Sequence, residues 1–264
     1  VGSQRLAVNV FLDSEIPLPS VEKQDEIIKK IKLQLQKAEQ LSVEIESQKN
    51  YIKQLRQNIL QEAIEGKLTA GWRNSHPVMK GNPEYDAEFL FEKIQNEWNT
   101  PKKQKKLPPI TDEEKTFNIP AGWKWIRLYD FACISTGGKD ANQGSKDGVY
   151  DFYTCAKDPL KSNTYSYDGE CLILPGNGAN VGLVIYHVGK FEAYQRTYVL
   201  EKKSVLCNFQ YLLTALNWNW KKYNEDKMFG TATPFIKLGN LQNYVFPLPP
   251  LAEQKEIVAR VEQH

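Results

Sequence analysis

The chain has 264 residues, 41% of them hydrophobic and 25% charged, and a formal net charge of +2. That length holds one or two domains with real cores, and so small a net charge excludes nucleic-acid binding through bulk basicity; any basic surface must come from local clustering. No run reaches the roughly 18 apolar residues of a membrane helix and no secretory leader opens the chain, so a cytoplasmic protein without a membrane partner is expected.

An internal repeat frames the chain. Ile16-Pro17-Leu18-Pro19-Ser20-Val21-Glu22-Lys23-Gln24-Asp25-Glu26-Ile27-Ile28 recurs as Phe246-Pro247-Leu248-Pro249-Pro250-Leu251-Ala252-Glu253-Gln254-Lys255-Glu256-Ile257-Val258. The match extends upstream, with Leu6 over Ile236 and Val8 over Leu238. Each copy predicts a short extended segment, a stiff Pro-Leu-Pro corner and a helix start, because proline disfavours helix in the residue before it. Residues 1–19 therefore read as the tail of a preceding unit or an N-terminal extended segment, and residues 251–264 as the start of a second helix.

Residues 20–66 predict one long helix. Ser20 is a good N-cap, no proline or glycine follows until Gly66, and Gly66 sits where a left-handed C-cap belongs. Ile31, Ala38, Ile45, Ile52 and Ile59 are spaced by seven, with Ile27, Leu41 and Leu55 in the companion position, which Gln34, Gln48 and Glu62 occupy in the other heptads. That is a coiled-coil seam, and a helix reaching about 66 Å cannot bury one stripe without a partner helix. The alternating Gln positions suit a seam specified for register or orientation.

Residues 67–118 read as a linker with a short helix over 86–97 and a basic run, Lys102-Lys103-Gln104-Lys105-Lys106, that is either a solvated loop or a phosphate contact. Residues 119–250 read as one mixed domain of short strands (Trp125–Leu128, Cys171–Leu174, Gly182–Tyr186, Tyr198–Leu200) and a helix over Phe209–Trp220. The expected fold class is thus α+β, a long coiled-coil helix joined to a mixed α/β globular domain.

Catalytic motifs fail on inspection. Asn82-Pro83-Glu84-Tyr85 lacks the second proline of an amino-methyltransferase motif and follows no strand. Gly176-Asn177-Gly178-Ala179-Asn180-Val181-Gly182 has the wrong glycine spacing and no helix behind it to hold a pyrophosphate, so it reads as a turn between strands. Cys133, Cys155, Cys171 and Cys207 stand singly and only His76, His187 and His264 are present, so free thiols and no metal are expected.

Several segments resemble the specificity subunit of type I restriction-modification enzymes. Gln57–Thr69 is similar to the end of that family's central conserved helix and Asp86–Ile94 to the helix that follows. Pro120-Ala121-Gly122-Trp123-Lys124-Trp125-Ile126-Arg127-Leu128 resembles the start of a target-recognition domain, and Phe246–Val261 its passage into the next conserved helix. The resemblance implies a non-catalytic subunit that reads double-stranded DNA with two recognition domains held apart by paired antiparallel helices. It implies no cofactor on this chain: S-adenosylmethionine belongs to partner methyltransferase subunits that methylate adenine, while a restriction/translocase subunit cuts. With one complete recognition domain, this chain reads either as a fragment or as a half-subunit forming an antiparallel homodimer or pairing with another half-subunit. A stand-alone DNA methyltransferase and a coiled-coil scaffold that does not bind DNA are the rival readings.

Base reading needs polar side chains on loops, and phosphate contact needs Lys, Arg or backbone amides. By that chemistry the candidates are Lys139, Asn142, Gln143 and Lys146 in the glycine-rich loop 136–146, and Gln195, Arg196 and Thr197 between two strands. Lys221, Lys222, Lys227, Thr231 and Thr233 complete the set. Arg196 reads equally as a structural ion-pair partner, and Tyr150, Phe152, Tyr153, Tyr165 and Tyr167 as core and edge packing.

Overall fold

The computed structural model describes residues 15, 17–98 and 107–263. The expected N-terminal tail over residues 1–14, together with Ile16, and the basic run Lys102–Lys106 lie outside the described residues.

Helix α1 spans Val21–Ile64 without a break, 44 residues. At its start the Ser20 hydroxyl accepts from the Lys23 N–H (3.4 Å) and the Gln24 amide donates to the Pro19 carbonyl (2.8 Å). At its end Gly66 takes a left-handed φ of +74°. Up to Gln54 the helix forms a unit by itself, and its side chains are exposed apart from half-buried Gln24 and Ser47. Ile27, Ile31, Ala38, Leu41, Ile45 and Ile52 are all among the exposed residues. Surface pairs such as Lys30–Glu26 (2.7 Å) are exposed and screened by water, so the apolar stripe is the larger unspent term.

The second unit runs from Leu55 to the C-terminus. Its helices are α2 (Ala70–Asn74), α3 (Ala87–Glu97), α4 (Leu128–Phe131), α5 (Phe209–Asn224), α6 (Leu238–Gln242) and α7 (Leu251–Glu262). Its strands are β1 (Lys124–Arg127), β2 (Ala132–Thr136), β3 (Tyr150–Tyr153), β4 (Leu160–Ser162), β5 (Tyr167–Pro175), β6 (Ile185–Ala193), β7 (Thr197–Lys202) and β8 (Val245–Leu248). β1 and β8 form an antiparallel pair, which places Pro247 where a missing N–H costs little. The other six strands form a sheet in the order β2-β7-β5-β6-β3-β4, with β3 parallel to β6. That sheet curls: the Tyr167 hydroxyl at the start of β5 donates to the Thr136 carbonyl at the end of β2 (2.9 Å), although the register sets Thr136 across β7 from Leu174 near the other end of β5.

Only part of the expected strand over Gly182–Tyr186 is a strand. Gly182 has φ +105°, and hydrogen bonds from Val181 to Gly178 and from Leu183 to Asn180 make this stretch a turn, so β6 begins at Ile185.

The core gathers Leu212 and Trp220 of α5 with Phe131, Tyr244 and Phe246, and also Ala63 and Ile64 of α1, Leu90 and Ile94 of α3 and Ile257 of α7. The segment expected to be a linker therefore supplies core side chains, and Asp86 caps α3 by accepting from the Glu88 N–H (3.1 Å). The Tyr211 and Tyr244 hydroxyls, fully buried, donate to the carbonyls of Pro247 (2.7 Å) and Ala215 (2.9 Å), which removes the cost of burying them. Asn82-Pro83-Glu84-Tyr85 has a structural use. The carbonyls of Pro83 and Glu84 accept from the first N–H groups of α7, at Leu251 (3.1 Å) and Ala252 (3.2 Å).

The second repeat copy is locked by Glu253, which is 1% exposed. Its carboxylate accepts from Trp123 Nε1 (2.7 Å) and Thr69 Oγ1 (2.6 Å) and pairs with Arg73, joining three chain segments. Breaking a buried pair strands the remaining partners. Glu253→Ala is expected to lower unfolding free energy by roughly 3 kcal/mol, measured as a shift in the urea midpoint at constant slope.

Candidate nucleic-acid interface

Five loops of the second unit are stitched to one another. The first, 137–149, follows β2 and contains a 3₁₀ turn at Ala141–Gln143. The others are 154–159 after β3, 176–184 after β5, the turn Tyr194–Arg196 between β6 and β7, and the stretch 225–237 after α5. The Arg196 carbonyl joins three of them, accepting from the Gly176 N–H (2.9 Å) and from Cys155 Sγ (3.4 Å). Gln195 reaches the first loop, its N–H donating to the Lys139 carbonyl (3.0 Å) and its side-chain amide to Asp140 Oδ1 (2.8 Å). Gly178 donates to the Pro234 carbonyl (2.8 Å) and Ile236 to that of Gly176 (2.9 Å), which brings in the last loop. There Phe229 and Phe235 exchange backbone hydrogen bonds (2.8 and 2.9 Å), leaving Thr231 and Thr233 at an exposed tip.

The candidates divide by what their polar atoms already do. Asn142, Lys146, Arg196, Lys221, Thr231 and Thr233 are exposed, and among the described residues their side chains have no hydrogen-bond or ion-pair partner. The structure brings these six to the linked loops, Lys221 by laying its stem against Gly182 at the end of α5. Lys139, Gln143 and Gln195 are engaged internally: the Gln143 carboxamide oxygen accepts from the Asp140 N–H (2.9 Å), and Lys139 is tied to Ser162, Thr164 and Glu192. Thr197 is fully buried in β7, where its strand neighbours close over it, so it has no surface to offer a duplex. Lys222 and Lys227 line a cleft of about 990 Å³ that reaches Lys221 and Gly182 and also holds Glu65, Glu225 and Asp226. Lys227 is occupied there, donating to Asp226 (3.2 Å) and to the Tyr223 carbonyl (3.1 Å).

Sequence reasoning passes over Asn177 and Asn180, because the glycine loop carrying them invites comparison only with cofactor motifs. Asn180 holds the 154–159 loop through the Cys155 carbonyl (2.9 Å), and Asn177 bridges to Phe235. Exposed Lys157 sits on that same loop; its only signal is an isolated charge between strands. The aromatic residues pack: Phe152 and Tyr153 are buried, Tyr167 stacks on Phe191 (5.0 Å), and Tyr150 meets Tyr165 (5.0 Å) with Lys190 over the latter ring.

The exposed chemistry on these loops is polar. Burial pushes the Cys133 thiol up to about 11 and those of Cys171 and Cys207 up to about 12, so none of the three is a thiolate at neutral pH. Among the described residues no three His, Cys, Asp or Glu side chains cluster as metal ligands, and no helix is long and apolar enough to cross a membrane.

The family model described as "Type I restriction modification DNA specificity domain" matches residues 120–264, more than half of the chain and all five linked loops. The chain belongs to that family. It is 35% identical over 144 residues to the type I restriction enzyme EcoDI specificity subunit of Escherichia coli, covering 54% of this chain and 31% of that protein. It is 28% identical over 247 residues to the EcoAI specificity subunit of the same organism, covering 80% and 39%. A solved chain from work on complex assembly and conformational transition of the type I R-M system shares the fold at TM-score 0.50 and 19% identity, over 94% of this chain and 53% of that one. The chain thus spans less than half the length of the curated relatives named here.

The free heads on these loops suit phosphate and base contact. Lys146→Ala and Arg196→Ala are each expected to reduce the slope of log affinity against log salt by about 0.9 on duplex DNA, the share of one released counterion. Titration at several salt concentrations gives that slope.

Proposed function

We propose that this chain reads double-stranded DNA for a type I restriction-modification assembly working in the cytoplasm. The observation that supports it most is a coincidence in one domain: the residues matching the DNA specificity family carry the linked loops whose Asn, Lys, Arg and Thr heads have no internal partner among the described residues. Asn and Arg present the donor and acceptor patterns that base edges require, while Lys neutralises phosphate.

On this reading the chain performs no chemistry itself. Methyltransferase subunits holding S-adenosylmethionine methylate adenine at the site it selects, and a restriction/translocase subunit cleaves DNA that lacks the mark. The α1 seam, through Ile27, Ile31, Ala38, Leu41, Ile45, Ile52, Leu55 and Ile59, pairs antiparallel with the same helix of a second copy or of another half-subunit. A stiff pair of helices then sets the distance between two half-sites.

Methylome mapping of cells with and without this protein tests the proposal. One split adenine motif should lose its methylation when the gene is deleted and regain it on complementation. An unchanged methylome, or S-adenosylmethionine bound and turned over by the chain alone, would overturn the division of labour.

A further inference from the structure

Lys139 has the chemistry of a phosphate contact, yet its ammonium group is spent. It donates to Ser162 Oγ (3.1 Å) and to Thr164 Oγ1, and it lies 3.4 Å from a Glu192 carboxylate oxygen. Two hydroxyls accept from it and the carboxylate faces it as an ion pair. Glu192 is 1% exposed near the end of β6, and a carboxylate that deep needs partners on every side. It accepts from Ser166 Oγ (3.1 Å), Thr164 Oγ1 (3.4 Å) and the Ala193 N–H (3.1 Å) as well as facing Lys139.

This knot is the inner anchor of the loop over 137–149, and backbone contacts fasten the loop on both flanks. On one side Gly137 approaches β6 so closely that a Cβ would stand 2.0 Å from the Ala193 carbonyl oxygen, and Lys139 bridges to Tyr194. On the other, the Ser145 N–H donates to the Lys161 carbonyl (2.8 Å) and Asn163 reaches Ser145 Oγ (3.2 Å). Asn142 between these anchors and Lys146 just past the second project without partners among the described residues. A recognition loop ordered before binding loses less freedom on meeting its ligand and discriminates better between near-matches.

We propose that Lys139 and Glu192 are positioning residues: half-buried Lys139, paired with buried Glu192, holds the 137–149 loop in its DNA-reading shape, and Lys139 makes no DNA contact. This rests on the DNA-reading function proposed above and says which of its loop residues read and which only hold.

The test uses the full chain. Removing Lys139 alone leaves a buried charge and invites unfolding, so the main variant is Lys139→Met with Glu192→Gln, which removes both charges together. Lys139→Arg with Glu192 kept, which retains the charge and the donors, is the conservative variant. Amide hydrogen exchange without DNA should quicken about tenfold or more over 138–146 in the neutral variant, the loss expected for one charged hydrogen bond, with β5 and β7 unchanged and protection kept in Lys139→Arg. The salt slope on a non-specific duplex should stay at the wild-type value, while the preference for selected over random duplexes falls. Unchanged exchange over 138–146 would overturn the positioning role, and a slope reduced by about 0.9 would show that Lys139 touches phosphate after all. If the wild-type chain selects no sequence even with modification subunits present, the DNA-reading proposal fails, whereas the exchange result still decides what holds the loop.

Discussion

A single helix of 44 residues with one apolar stripe cannot hide that stripe against itself, and this constraint governs how the molecule can be used. Local ion pairs along α1 are exposed and screened, whereas each large aliphatic side chain removed from water is worth about 1.5 kcal/mol or more. Ile27, Ile31, Leu41, Ile45 and Ile52 therefore hold the main undelivered stabilisation in this part of the chain. Covering them with another helix delivers it, and the Gln residues interrupting the seam make the delivery specific to register rather than maximal. A helix stiffened in this way can set a distance, which is what the proposed spacing of two DNA half-sites demands.

The globular unit uses charge in two different ways. Where rigidity is needed, a buried ionic group is paired with a partly exposed one: Glu253 with Arg73, Thr69 and Trp123 fixes the start of α7, Arg127 with Glu114 fixes the 107–117 stretch, and Glu192 with Lys139 fixes a loop. Where recognition is proposed, polar heads such as Asn142, Lys146 and Arg196 are left without partners among the described residues. The same residue types serve both ends, so residue type alone does not say which lysine holds and which lysine binds. Partner geometry separates them.

This is also where the sequence stops being legible. Long-range order is readable because it repeats: the copies starting at Ile16 and Phe246 share a Pro-Leu-Pro corner, and the structure shows the same side-chain bond in each, Gln24 to Pro19 and Gln254 to Pro249. The α1 helix and strands β1, β5 and β7 follow from uninterrupted periodicity and apolar runs. Strands β2, β3 and β4 escape such a reading because they are short, carry Ser, Thr, Asp and Lys, and owe their pairing to neighbours far along the chain. Thr197 looks like a loop residue beside Arg196, but the turn is so tight that Thr197 already belongs to the core. Lys139 looks free because Glu192, its partner, is remote in sequence and reaches it only through the curl of the sheet.

Sedimentation equilibrium of the full chain at near-physiological salt, read alongside far-ultraviolet circular dichroism, tests the helix constraint most directly. The chain mass is 30.3 kDa, and a particle of twice that mass with the full helical signal is expected at micromolar concentration, dissociating and losing helix together on Ile45→Asp. A stable 30.3 kDa monomer that keeps every residue of α1 helical would contradict the pairing on which the proposed spacing of two reading domains depends.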